Sequence, residues 1–395
     1  MSSLSTLTTV PPTPPDLSEI RTAVAKRMPE LWSLVERWVT QSSFTADHAD
    51  CDAMADALTA AFALPGLTAH RTPGDGAGDH VAFTTAAWGS RPGVILVGHH
   101  DTVFPRGSFV GFRRDAERVY GPGVLDMKGG LAVVRTALAA LADTGALAAL
   151  PVAVISVSDE ETGSVDGSRP LAALARGAAC GLVFEAGRLT DAIVTRRKGT
   201  GKLTVTARGR AAHAGNNLAD GINAIWALAR FVDAAQRMTE PDGAVTVNVG
   251  TFSGGTSANT VPAEARCEID LRLVRGTDGD RLLGELDHLA RALAAETGAT
   301  FTIDGGIRRA PLEHLPGTPA LLARYAAAAR AEGLGGDEAP LMGGGSDANT
   351  LAALGIPAID GLGPRGKGFH TPEEYAEIAT FEPRVLALVR FLLDA

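Results

Sequence analysis

The sequence predicts an α/β fold, a mostly parallel-sheet domain interrupted by a smaller, ferredoxin-like α+β domain. Short apolar runs at 93–98 and 152–157 alternate with Ala/Leu-rich helical patterns, as the strands and crossover helices of a parallel sheet do. Between about 199 and 305 the order becomes strand, helix, strand, strand, helix, strand, the split βαβ arrangement. The first pattern then resumes, so residues 17–198 and 306–395 form one discontinuous domain around an insert at 199–305.

Residues 1–16 are Ser/Thr/Pro-rich, lack the basic start and apolar stretch of an export signal, and read as a flexible leader. Helical patterns at roughly 17–40 and 46–63 precede a strand near 79–84. The apolar strand 93–98 ends in His99-His100-Asp101-Thr102, and a helix spans 129–148. The β-branched run 152–157 has the character of a buried parallel strand and ends in Ser158-Asp159-Glu160-Glu161-Thr162-Gly163-Ser164. A further strand at 181–184 ends in Glu185. In the insert, 202–207 alternates as a half-buried strand, 217–237 is helical, 244–251 and 264–274 are strands, 278–297 is a helix and 299–303 a strand. Residues 317–333 are helical, 354–362 have strand character, His370 follows in a loop, and 382–394 close the chain as a helix.

Composition narrows the function. Hydrophobic residues make up 45% and charged residues 21% of 395 positions, a globular profile with room for two domains. The net charge of −9 argues against nucleic acid or an anionic membrane as partner. No stretch is long and apolar enough to span a membrane, and cytoplasmic residence is expected from the missing export signal. Cys51, Cys180 and Cys267 are scattered and form no Cys-x-x-Cys pair, so any metal is held by His and carboxylate.

Three adjacent carboxylates where a core strand ends repel one another and resist joint desolvation, and a cation nearby explains them best. A solvated acidic turn is the plain alternative. Metal-type residues recur at other strand ends and loops, however: His99-x-Asp101, Asp126 in Gly121-Pro122-Gly123-Val124-Leu125-Asp126-Met127-Lys128-Gly129-Gly130, Glu185, and His370 in Phe369-His370-Thr371-Pro372-Glu373-Glu374. Each also has a structural reading. His99 and Asp101 form a hydrogen-bonded pair, Asp126 caps the helix that follows, Glu185 is an incidental loop charge, or His370 is a surface histidine. Together, two His and three carboxylates make a hard N/O donor set suited to Zn²⁺, Co²⁺ or Mn²⁺, and five ligands serve two ions if one carboxylate bridges.

The motifs carrying these residues resemble those of the M20 family of dinuclear zinc peptidases and deacylases, most closely its glutamate carboxypeptidase (carboxypeptidase G2-like) branch. The resemblance runs from about residue 20 to the C-terminus and rests on Gly98-His99-His100-Asp101-Thr102-Val103, Asp126-Met127-Lys128-Gly129-Gly130, Asp159-Glu160-Glu161-Thr162-Gly163-Ser164, Gly343-Gly344-Gly345-Ser346-Asp347-Ala348, and His370 with its Glu pair. It implies that Asp126 bridges two Zn²⁺, one also bound by His99 and Glu185, the other by Glu161 and His370. It implies Glu160 as general base, Asp101 as the partner that fixes the His99 tautomer, and a cis peptide at Asp126–Met127.

For the inserted domain the resemblance implies dimerisation, with His213 of Ala211-Ala212-His213-Ala214-Gly215 reaching the partner subunit's active site to stabilise an oxyanion. Alone, His213 reads as a surface or capping histidine. Asn259 and Arg272 match positions that bind a substrate's terminal carboxylate, and the planar fork of Arg suits that task. The alternative for Arg272 is an edge-strand charge that deters aggregation. Gly344 and Gly345 would let backbone approach the substrate. Arg197, Lys198, Arg308 and Arg309, near the domain hinges, are candidates to read an acidic side chain, with a solvated hinge charge equally compatible.

The expectation is a homodimeric zinc hydrolase that releases a C-terminal amino acid, glutamate being one candidate, from a peptide or N-acyl conjugate. An N-acyl-amino-acid deacylase of acetylornithine or succinyl-diaminopimelate type is the alternative in the same fold. A non-catalytic dimeric binding protein would show loss of Glu160 or of a ligand, and none is lost.

Overall fold

The computed structural model describes residues 16–394, so the leader expected over 1–16 lies, apart from Asp16, outside the described residues. In chain order the elements begin with α1 (Leu17–Thr40), α2 (His48–Ala61), β1 (Leu67–Thr72), β2 (His80–Thr85), β3 (Gly93–His99), β4 (Arg113–Arg114) and β5 (Arg118–Tyr120). Next come α3 (Lys128–Asp143), β6 (Val152–Val157), α4 (Ser168–Ala175) and β7 (Ala178–Val183). A second series follows: β8 (Gly199–Arg208), α5 (Ala224–Gln236), β9 (Val245–Gly254), β10 (Glu264–Leu273), α6 (Thr277–Thr297) and β11 (Thr300–Arg309). The chain closes with α7 (Thr318–Ala331), α8 (Asp347–Ala353), β12 (Ala358–Ile359), β13 (Gly366–Lys367), β14 (Tyr375–Glu377) and α9 (Phe381–Leu393).

The chain divides into two compact units. One runs through Ile193 and takes up Pro319–Glu338 and the chain from Ala358 onward; the other comprises Val194–Thr318 and Ala339–Pro357. The second unit contains the whole stretch 199–305 and extends beyond it into 194–198, 306–318 and 339–357. Backbone pairing draws these flanks in, since Arg197 and Leu312 exchange hydrogen bonds of 3.1 and 3.0 Å and Lys198 N–H donates to Met342 O at 2.8 Å.

In the first unit a mixed sheet has the order β1-β2-β6-β3-β7-β12. The four strands β6, β3, β7 and β12 run parallel, and β2 joins β6 antiparallel. Every residue of β3 and β6 is buried, as expected of near-continuous apolar strands covered on both faces. Val94, Leu96, Val152 and Val154 join one core with the buried stripe of α1 (Ile20, Val24, Leu31, Val35, Trp38) and with α3 and α9. Each such side chain contributes roughly 1.5–3 kcal/mol on burial.

Parallel strands bring their C-terminal ends to one edge, where β3 delivers His99, β6 delivers the turn 158–161, and β7 leads to Glu185. The start of α3 lies close by. A Cβ at Gly130 would sit 2.1 Å from Phe184 O, so only glycine lets α3 begin against the end of β7. The peptide Asp126–Met127 is cis. A small antiparallel sheet, β13-β14-β5-β4, joins the loop after β5, which holds Asp126, to the loop between β13 and β14, which holds His370.

The second unit is the expected split βαβ: a wholly antiparallel sheet of order β11-β8-β10-β9. Its separate core includes Leu203, Val205, Phe231, Ile269 and Leu286. Among the described residues, no helix is long and apolar enough to cross a membrane.

Some expected elements are shorter than the pattern suggested. The helix expected to 148 ends at Asp143, where Gly145 takes φ 73°. The strand expected over 354–362 pairs only at Ala358–Ile359, because Gly355 and Gly361 turn the chain at φ 79° and 74°.

Candidate metal centre

Two groups of potential metal donors lie at the strand edge of the first unit, and they share one residue. In the first, His99, Asp126 and Glu185 present ligand atoms within 4.8 Å of one another; in the second, Asp126, Glu161 and His370 do the same. The two Asp126 oxygens point to opposite sides. Oδ1 lies 3.2 Å from His99 Nε2, and Oδ2 lies 3.4 Å from His370 Nε2. His99 Nε2 is 3.8 Å from Glu185 Oε1, and His370 Nε2 is 3.0 Å from Glu161 Oε2. The alternative role for Asp126, capping α3, is not taken up: Met127 is the N-cap, and no side chain hydrogen-bonds there.

Asp101 organises both sides of this edge. His99 Nδ1 lies 3.0 Å from Asp101 O and 3.2 Å from its Oδ1, so Nδ1 carries a proton and Nε2 is the ring nitrogen turned toward Asp126 and Glu185, where it donates to Asp126 when protonated and is the atom that would bind an ion. The same carboxylate accepts the backbone N–H of Glu160 at 3.2 Å and of Glu161 at 3.1 Å, and the Thr45 hydroxyl at 2.8 Å. Glu160 and Glu161 form a single 3₁₀ turn with Thr162. Asp101 is fully buried, and although burial raises its carboxyl, the hydrogen bond from His99 holds it below the usual carboxylate range.

The electrostatics favour added positive charge. Burial pushes the Glu161 carboxyl up to about 7 and Glu185 well above the carboxylate range, with the Asp126 charge adding to both. Burial also opposes the Asp126 charge, but hydrogen bonds from His370 and His99 hold that carboxyl low. Hydrogen bonds to Asp126 and then Glu161 raise His370 to about 10. For His99, burial pulls downward and is outweighed by Asp101 and Asp126, which hold it well above its ordinary value. Such a cluster takes up protons at neutral pH, and divalent ions compete for the same lone pairs. Two imidazoles and three carboxylates fit a pair of ions of the Zn²⁺, Co²⁺ or Mn²⁺ type.

The remaining expected site residues belong to the second unit. His213 is exposed, and its Nδ1 accepts the N–H groups of Gly215 and Asn216, each at 3.1 Å, which places the ring proton on Nε2. Asn259 lies beside it, its carbonyl accepting the Ala214 N–H at 2.9 Å. Arg272 stands on β10, between β8 and β9, so the edge-strand explanation of its charge does not hold. Its fork pairs with Asp270 at 2.8 and 3.1 Å. A Cβ at Gly344 would meet nothing within 4 Å, and Gly344 O accepts from Arg197 at 3.1 Å. Gly345 immediately precedes Ser346, which opens α8 with a capping box. Lys198 Nζ donates to Gly243 O at 2.7 Å, Arg309 is buried 3.4 Å from Asp347, and Arg308 is exposed.

Sequence reasoning gave no role to Glu374, which is buried. Its Oε1 accepts the N–H of Leu125 at 2.7 Å and of Asp126 at 3.0 Å, and its Oε2 accepts that of Gly123 at 3.0 Å. Burial pushes this carboxyl up to about 8 against the pull of those donors. The Glu373-Glu374 pair beside His370 was the one available signal. Lys128 was also passed over: it is buried, its Nζ closes the end of α1 on Trp38 O and Gln41 O at 2.8 and 2.9 Å, and burial pulls it down to about 7.

A mixed α/β unit whose strand edge gathers paired His and carboxylate donors is thus joined in sequence to a ferredoxin-like unit. The profile described as Peptidase family M20/M25/M40 matches residues 95–394, and the chain belongs to that family. It is 27% identical over 381 residues to carboxypeptidase G2 of Pseudomonas sp. (strain RS-16), covering 94% of this chain and 91% of the relative. Succinyl-diaminopimelate desuccinylase of Cereibacter sphaeroides (strain ATCC 17023) is 30% identical over 332 residues, 78% of this chain and 86% of that one. Among solved structures, aminopeptidase PepT from Bacillus cereus ATCC 10987 superposes with a TM-score of 0.77 at 23% identity, covering 93% and 98% of the two chains. The M20 family metallo-carboxypeptidase Sso-CP2 from Sulfolobus solfataricus gives 0.71 at 18% identity, covering 92% and 98%. The structural likenesses speak to the fold alone. Family membership and the named sequence relatives support a hydrolase of metallopeptidase type.

Proposed function

We propose that the chain is a dinuclear zinc hydrolase that cleaves the amide bond of a C-terminal amino acid in a peptide or N-acyl conjugate. The observation that carries this reading is the pair of donor groups sharing Asp126, whose two oxygens face two different histidines. In it, His99, Asp126 and Glu185 would hold one ion, and Asp126, Glu161 and His370 the other. Bound there, the ions supply Lewis acidity to the scissile carbonyl and to the attacking water.

The chain's own groups do the rest. Glu160, beside Glu161 and in neither donor group, accepts the proton of the water as its oxygen bonds to the acyl carbon. As the C–N bond breaks, Glu160 returns that proton to the departing amine nitrogen. Asp101 keeps the His99 proton on Nδ1 and holds the Glu160–Glu161 backbone. His213, supplied by a partner subunit in a homodimer formed through the insert 199–305, donates Nε2–H to the developing oxyanion. Asn259 and Arg272 bind the terminal carboxylate, for which Arg272 exchanges its contact with Asp270, and Gly344 and Gly345 let backbone approach the substrate closely. The catalytic domain in this reading is 17–198 with 306–395.

A deacylase acting on a succinyl- or acetyl-diamino acid is the second reading, favoured by the desuccinylase relatives. A panel of C-terminal-glutamate dipeptides, N-aroyl amino acids and N-succinyl or N-acetyl diamino acids separates the two. On metal-assayed protein, amino acid release that stops with chelator and returns with Zn²⁺ or Co²⁺ is expected. Hydrolysis persisting in the stripped protein would overturn the mechanism.

A further inference from the structure

The turn between β6 and α4 that carries Glu160 and Glu161 is closed at its base by polar groups outside the two donor clusters, with Ser158, Asp159 and His80 buried and Asp166 half-buried. Ser158 N–H donates to His80 Nδ1 at 3.2 Å, and His80 Nε2–H donates to Asp166 Oδ2 at 2.9 Å. Asp166 and Gly167 return their own N–H groups to the Asp159 carboxylate at 2.8 and 3.1 Å. The ring therefore runs from Ser158 through His80, Asp166 and Gly167 back to Asp159, and the turn holding Glu160 and Glu161 lies within it.

Each member is fixed. His80 is 1% exposed, and because Nδ1 faces an N–H donor it must accept there, which puts the ring proton on Nε2. Asp166 is steadied by the Asp75 N–H at 2.9 Å and by Arg169 at 3.1 Å. A Cβ on Gly167 would fall 2.5 Å from Asp159 Oδ1, so a larger residue could not bring its N–H to that carboxylate. The order hydroxyl, imidazole, carboxylate is that of a hydrolytic triad. Ser158 is nevertheless wholly buried and its Oγ donates to Gly78 O at 2.5 Å, so it cannot meet a substrate.

We propose that His80, oriented by Asp166, is a positioning residue for hydrolysis: it anchors Ser158 and so sets where the carboxylates of Glu160 and Glu161 stand. This rests on the proton-moving and ligating roles given to those residues above. The 3₁₀ turn has backbone bonds of its own, Gly163 N–H to Glu160 O at 2.8 Å and Ser164 N–H to Asp159 O at 2.9 Å, but such bonds are poorly aligned and contacts from outside fix where the turn stands. Asp101 holds it by the N–H groups of Glu160 and Glu161, and the His80 ring holds the chain on either side.

The test compares native protein with His80→Ala, His80→Asn and Asp166→Asn, reading kcat and KM per metal-loaded folded chain and, separately, Co²⁺ affinity by chelator competition. Loss of an outer hydrogen-bond partner costs on the order of 10–100-fold in activity or metal affinity. For His80→Ala that loss is expected in kcat or in Co²⁺ affinity, with KM within about twofold of native. His80→Asn, which can keep an acceptor for Ser158 N–H, recovers most of it. Adding Asp166→Asn to His80→Ala costs little more, since both act through one network. Should His80→Ala fold too poorly to assay, Asp166→Asn alone is expected to show the same split in smaller measure. Native kcat and native Co²⁺ affinity in the folded variants, with only thermal stability lowered, would overturn the proposal. Should the native protein hydrolyse nothing in the panel, the functional reading fails, and Co²⁺ affinity alone then decides: weakening in His80→Ala that Asn relieves supports the positioning role, and unchanged affinity overturns it.

Discussion

Glu160 and Glu161 are neighbours in the chain, and Glu161 places its Oε2 3.0 Å from His370 Nε2. Glu160 has its backbone held by Asp101 and belongs to neither donor group, and the proposed function gives it the proton-moving task. Glu160→Gln should therefore abolish turnover while the variant binds as much metal as native protein. If metal-loaded Glu160→Gln stays within about tenfold of native kcat, a loss of only ~1.4 kcal/mol, another group is the base. The donor residues were legible in the sequence because each closes an apolar strand or sits in a recognisable glycine-flanked motif. Thr45, His80 and Asp166 were not, since their roles exist only through contacts made 56 to 86 residues away. A lone histidine at the start of a half-buried strand carries no spacing signal of its own.

At the scale of elements, β3 and β6 are cross-braced where they end, because His100 Nδ1 and Ser156 Oγ lie 2.9 Å apart. His100 is fully buried, and that burial pulls it down to about 3. The folded chain thus keeps His100 neutral where an unfolded chain protonates it, near pH ~6.5. Between those values the unfolded state binds the additional proton, so acidification removes about 1.4 kcal/mol of stability per pH unit through this residue. Above the window the residue adds nothing. Denaturant unfolding at several pH values should show His100→Gln losing stability on acidification less steeply than native protein by about one proton; parallel slopes would contradict it. Elements with strong periodicity, such as α1, α6 and β6, were readable from pattern. By contrast β1 is mostly exposed, with no apolar alternation to mark it. The strands β4, β5, β13 and β14 have two or three residues each and are held by tertiary neighbours, Arg113 stacking over Tyr120 and Arg118 over Tyr375. The helix α8 does carry a signal in the sequence, Ser346 with Asn349 three residues on, which form its capping box.

For the whole molecule, the sequence pattern separated a parallel-sheet unit from a ferredoxin-like one, and both are present as distinct cores. It could not show that 306–318 and 339–357 side with the second unit, because backbone pairing with Arg197 and Lys198 decides that and leaves no trace in local periodicity. All five donor residues, drawn from positions 99 to 370, converge on one unit, and the shared carboxylate of Asp126 ties them into a single centre. Metal titration of native protein beside Asp126→Asn examines that convergence without reference to substrate. Native protein should take up two divalent ions per chain, and Asp126→Asn should lose tight binding of both at once. A native stoichiometry of one or none, or a variant that keeps both ions at native affinity, would contradict a centre built around Asp126.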